Sequence, residues 1–169
     1  VLALTGTASQ ADYQTALRGV KYSSTSEDPS VTTRTVSFIV YDGQVSSAAV
    51  TRSVSINRVN DVPTLSSIET TTLSYTEDQA PVVVSTTIVV GDVDFDSDAD
   101  LEAANITITS GLESTDVLSF ADSLGIVSTY FSAGGVLALT GTASQADYQT
   151  ALRDVKYSST SEDPSVTTR

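Results

Sequence analysis

The 169 residues carry 21 acidic and 8 basic side chains, a net charge of -13 that repels nucleic acid and anionic membranes alike. Cysteine, histidine, methionine and tryptophan are absent, which excludes disulfides, thiolate and imidazole metal sites, and Ser-His-Asp or Cys-His catalysis. No apolar run approaches the roughly 20 residues of a membrane helix, so no membrane insertion is expected, and oxygen is the abundant ligand type that remains.

In chain order, residues 1–4 read as a strand entered midway, as though cut from a longer polypeptide, and stop at Thr5-Gly6. Residues 9–17 predict a short helix: Ser9 caps it, Asp12 lies in its first turn, and Tyr13 and Leu17 share a face at i, i+4. Residues 20–23 open another strand and 26–30 form a turn. Val36, Phe38 and Val40 alternate along a strand over 35–41, which Asp42-Gly43 turns back into a strand over 45–59 with Val50, Val54 and Ile56 inward. After the linker Asn60-Asp61-Val62-Pro63, Leu73 and Tyr75 share one face of a strand that stops at Thr76-Glu77-Asp78. A longer apolar strand over 82–90 runs into Asp92-Val93-Asp94-Phe95-Asp96-Ser97-Asp98-Ala99-Asp100. Short strands over 104–109, 117–120, 125–131 and 136–139 precede a second helix over 144–152. Abundant Ser and Thr, 40% apolar residues and no Leu-rich helical stripe suit an all-β protein.

Residues 1–34 return at 136–169 with one change, Gly19 becoming Asp154, an offset of 136 minus 1, or 135 residues. A near-perfect duplication at that period indicates tandem copies of one domain, each with one short helix. Residues 1–60 are then the C-terminal part of one repeat and 61–169 the N-terminal part of the next, which lacks the counterparts of the 35–43 and 45–59 strands. Open edges would follow. Either the sequence continues in a longer chain, or the 35–59 hairpin of a neighbouring molecule completes the 61–169 domain, head to tail.

The five aspartates between Asp92 and Asp100 alternate with uncharged residues, so several carboxylates can converge and repel at neutral pH. A hard divalent cation, calcium above all, relieves that repulsion through six to eight oxygen ligands in loose geometry. Asp92 and Asp94 are the first candidates, followed by Asp96 and Asp98; the plainer alternative is a solvated acidic loop. An EF-hand fails on detail, with no glycine at the sixth loop position and no glutamate at the twelfth. Glu77-Asp78 and Asp42-Gly43 read first as turns, and Asn60-Asp61 as a rigid linker.

Ile88-Val89-Val90-Gly91-Asp92-Val93-Asp94 resembles the strand-end DxD of cadherin repeats, and Asn60-Asp61-Val62-Pro63 resembles their linker. Tyr75-Thr76-Glu77-Asp78 is similar to their early-strand glutamate and Val40-Tyr41-Asp42-Gly43 to their late-strand aspartate-glycine. Together with LALTGTASQADYQTALR, the chain resembles the cadherin-like tandem repeats of large RTX-type bacterial surface adhesins. The resemblance implies a Greek-key, cadherin/Ig-like β-sandwich with Ca2+ between consecutive repeats. Asp92, Asp94, Asp61 and the carbonyl of Asn60 would be ligands at one end, Glu77 with Asp78 at the other, and Asp42 in the preceding repeat. Arg58 and Val62 stand where the linker motif carries an acid and an asparagine, and no acid follows Leu139-Thr140, so fewer or weaker sites are implied.

The expected role is a calcium-stiffened structural repeat of an extracellular, cell-surface bacterial protein that supports adhesion or biofilm formation, with neighbouring repeats as its partners. Alternatives are a sandwich module that itself binds a surface glycan or protein, and a filament subunit assembled by strand complementation. Catalysis is not expected, because the acids lie at strand ends with no apolar wall or histidine to tune a proton donor.

Overall fold

The computed structural model describes residues 1–94 and 100–163. Its strands form four small antiparallel sheets accompanied by two α-helices, so the chain is all-β in class. It divides into two compact units, Val1–Arg58 and Val59–Arg169.

In the second unit, β3 (Thr64–Ser66) pairs with β5 (Val89–Gly91), and β10 (Lys156–Ser159) lies between β4 (Val82–Val83) and β7 (Asp116–Ser119). A third sheet sets β9 (Val136–Ser144) between β6 (Asp100–Thr107) and β8 (Val127–Phe131). Alternation along β9 explains its central place, because Leu137, Leu139 and Ala143 are buried while Thr140 is exposed. Gly141 has φ 138, and a Cβ there would lie 2.2 Å from the carbonyl oxygen of Gly125, so glycine lets β9 approach the start of β8. Helix α2 (Gln145–Arg153) closes the core with Tyr148, Ala151 and Leu152, joined there by Val90, Leu118, Phe120, Ile126 and Val155.

The strand expected over 82–90 is two strands. Between them Glu69 accepts from the Ser85 hydroxyl at 2.6 Å, the Thr86 amide at 2.8 Å and hydroxyl at 3.0 Å, and the Thr87 amide at 3.2 Å. One carboxylate thus binds the donors a ladder would have used, and the chain bends. Around Leu73 and Tyr75 there is no strand either. Tyr75 donates instead to the carbonyls of Gln79 and Ser159, with its ring edge-on to Tyr157 at 5.1 Å.

The first unit holds α1 (Gln10–Arg18) and the hairpin of β1 (Arg34–Phe38) with β2 (Val50–Val54). The helix follows its sequence: Ser9 caps it, and Asp12 reaches back to the Ser9 amide. Asp42 anchors the expected turn. The strands expected over 1–4 and 20–23 are absent, and that over 45–59 is regular only from 50 to 54. No described residue of this unit is buried. A strand needs a neighbour to take its hydrogen bonds, and Leu2 and Leu4, 68% and 40% exposed, have no apolar surface to enter.

Candidate functional site

The acidic segment begins where β5 ends. After Gly91, Asp92 is half-buried, Val93 exposed and Asp94 buried at 4% exposure. The alternation that buries Val90 continues for four residues, so the pattern that would seat an apolar side chain seats a carboxylate instead. The Asp92 Oδ1 accepts from the Asp94 amide at 3.1 Å, which curls the chain. The Asp94 Oδ2 accepts from the Asp61 amide at 2.5 Å and ties the segment before β3 to the end of β5. Among the described residues the other oxygen, Oδ1, is buried without a hydrogen-bond partner. A buried carboxylate oxygen left unmatched costs roughly 1–3 kcal/mol or more, and the charged residues of the 92–100 segment are all acidic.

Of the expected ligands, Asp92 bonds through its carboxylate to the Asp94 amide and Asp94 to the Asp61 amide, while the Asp61 side chain is half-buried. Asn60 adjoins them but turns its amide nitrogen onto the Asp61 carbonyl at 2.7 Å. Asp96 and Asp98 lie outside the described residues. Among the described residues no group of three or more acids is placed as a ready-made metal cluster. What the geometry offers is one buried, unmatched oxygen with one or two carboxylates near it in sequence. A hard cation suits that donor set, since it supplies the missing charge and accepts carbonyl and water oxygens for the rest.

The other candidates sit in turns. Asp42 accepts at Oδ1 from the Val45 and Gln44 amides, both at 2.8 Å, and closes the hairpin turn between β1 and β2. Those two amides, Val45 first, hold its carboxyl below the usual carboxylate value. Glu77 and Asp78 are exposed in the turn where the Gln79 amide donates to the Thr76 carbonyl, and Asp78 takes φ 61.

Two acids not singled out from the sequence have structural roles. Glu69 holds the 85–87 bend, and its bond from Ser85, then that from the Thr86 amide, lower its carboxyl to about 2. Asp116, 1% exposed, accepts the Tyr157 hydroxyl at 2.6 Å and the Glu113 amide at 2.9 Å. Its carbonyl takes the Tyr130 hydroxyl at 2.8 Å, so it knots β7, β8 and β10 together. Neither follows a motif. The one signal was an acid within an otherwise apolar alternation, which Asp116 shows beside Val117 and Leu118.

Comparison with protein-family models, with curated proteins and with solved structures returns no match to this chain. Among the described residues no helix is long and apolar enough to cross a membrane.

Proposed function

We propose that the chain is a calcium-stiffened structural repeat of a cadherin-like, Greek-key kind, from an extracellular bacterial surface protein that holds a distal adhesive part away from the cell. The observation that carries this reading is the buried Asp94 carboxylate, whose Oδ1 lacks a hydrogen-bond partner among the described residues while its Oδ2 grips the Asp61 amide. Asp94 and Asp92 would hold the ion, and Asp61 would join them from the segment that leads into β3. A divalent ion supplies two positive charges to a segment, 92–100, whose charged residues are all aspartates. The consequence is mechanical. With the carboxylates neutralised, residues 59–63 are held against the end of β5; without the ion, repulsion among the acids opposes the same closure.

Asp94 belongs to the fold and to the ion at once, which makes the reading testable. Extracellular calcium modules have Kd on the order of 10⁻⁴ to 10⁻³ M. Isothermal titration of the wild-type chain with calcium should give binding in that range, and Asp94→Asn should weaken it at least tenfold. Absence of calorimetric binding by the wild type would refute the proposal.

A further inference from the structure

One edge of β5 is closed by a helix instead of a strand. On its other edge β5 pairs with β3 over three residues, Thr64 with Gly91, Leu65 with Val90 and Ser66 with Val89. A two-stranded ladder that short is marginal by itself. The second edge is taken by Gln145, Gln149 and Arg153, which stand at i, i+4 and i+8 and so line one face of α2. Gln145 Nε2 donates to the Val90 carbonyl at 2.5 Å, and Gln149 Oε1 accepts the Val90 amide at 3.3 Å. Arg153 continues the row, with Nε on the Ile88 carbonyl at 2.8 Å and Nη2 on that of Thr87 at 3.2 Å. Three side chains thus make bonds along 87–90 that a further strand would have made.

The bonds at Val90 bear on the acidic end of the strand. Val90 is 3% exposed, and Asp94, four residues on in the same alternation, is 4% exposed, so the placing of Val90 sets the phase in which the aspartates follow. Between them the Gly91 carbonyl accepts the Thr64 hydroxyl at 3.2 Å, and the Asp61 amide reaches Asp94. The end of β5 is therefore held from one side by Thr64 and Asp61 and from the other by the two glutamines. What each glutamine does is fixed by what it faces. A carbonyl requires a donor and an amide an acceptor, so Gln145 acts through its nitrogen and Gln149 through its oxygen. A glutamate can replace the second and not the first.

We propose that Gln145 and Gln149 are positioning residues for the cation site: by fixing both main-chain groups of Val90 they hold β5 in the phase that seats Asp92 and Asp94, and the bound cation in turn secures α2. This role rests on the cation reading of Asp94 and extends it to a helix that carries none of the expected ligands. The coupling is reciprocal, since whatever α2 adds to the affinity for the ion, the ion returns to α2.

Calorimetric titration of the full chain with calcium, with Tm in EDTA as the check on folding, compares Gln145→Glu with Gln149→Glu. Both add one negative charge to the same helix face, so a field effect alone would tighten calcium binding in both. Loss of the donor at 145 should instead weaken binding about fivefold or more, whereas Gln149→Glu keeps its acceptor and should bind as the wild type does. Amide hydrogen exchange of the wild type needs no variant and decides even if Gln145→Glu does not fold: calcium should slow exchange in α2 and at Val90 more than in β8. Gln145→Glu binding calcium at least as tightly as Gln149→Glu would overturn the inference and leave the cation reading standing. Exchange in α2 that calcium slows no more than in β8 would do the same. A wild type that binds no calcium would overturn both.

Discussion

Leu4 and Leu139 occupy the same place in two copies of one sequence, and truncating each to alanine separates packing from composition. Leu139 is 0% exposed at the centre of β9, opposite Ala104 on one side and Ser128 on the other, while Leu4 is 40% exposed. Removing a fully buried leucine forfeits its transfer energy and leaves a cavity, roughly 2–5 kcal/mol together. For a unit the size of residues 59–169, that lowers Tm by roughly 10 °C or more. Leu4→Ala removes a side chain with no buried neighbour and should cost under about 0.5 kcal/mol. Differential scanning calorimetry on the dilute wild type and both variants reads the difference directly. Equal destabilisation would refute the division into a packed and an unpacked copy, and with it the reason why residues 1–4 form no strand.

The remaining predictions concern polar groups. Glu69 has a folded value of about 2 against 4.5 for the free side chain, so the unfolded chain binds the extra proton. Its contribution is fully present above about pH 4.5 and is lost as pH falls through 2. Glu69→Gln should flatten Tm across that window, and an unchanged slope would show that the 85–87 bend does not depend on the charge. Asp116→Ala removes a buried acceptor from the Tyr157 hydroxyl and the Glu113 amide and should cost roughly 2–4 kcal/mol by chemical denaturation, far more than Asp78→Ala in its exposed turn. In chelator, Asp94→Asn should match or exceed wild-type stability, because it removes a buried carboxylate whose Oδ1 has no hydrogen-bond partner among the described residues; a loss above about 2 kcal/mol would contradict the unmatched state of Oδ1.

Local signals were readable where they need nothing distant. Ser9 and Ser144 cap their helices, Asp42-Gly43 turns its hairpin, and the alternation in 36–38 and 136–139 places strands. Long-range partners were not. The break between β4 and β5 depends on Glu69, some 16 residues away, and the fate of residues 1–4 depends on neighbours that only the second unit possesses. Burial of Asp94 could be read from the period of two running on from Val90, but its missing partner could not, because that requires knowing which donors surround it. The repeat was the most informative feature of all: the capped helix and the Tyr–Gly bond form in both copies, whereas the strands over 136–144 and 156–159 form only where other strands pair with them.

The central claim is that the Asp94 carboxylate is completed by a hard cation. Melting temperature measured in about 10 mM calcium and again in EDTA tests it most directly. With Kd on the order of 10⁻⁴ to 10⁻³ M, calcium should add about 1.4–2.7 kcal/mol, a rise of roughly 5–15 °C in Tm, absent in Asp94→Asn. Equal melting temperatures for the wild type in calcium and in chelator would contradict the account.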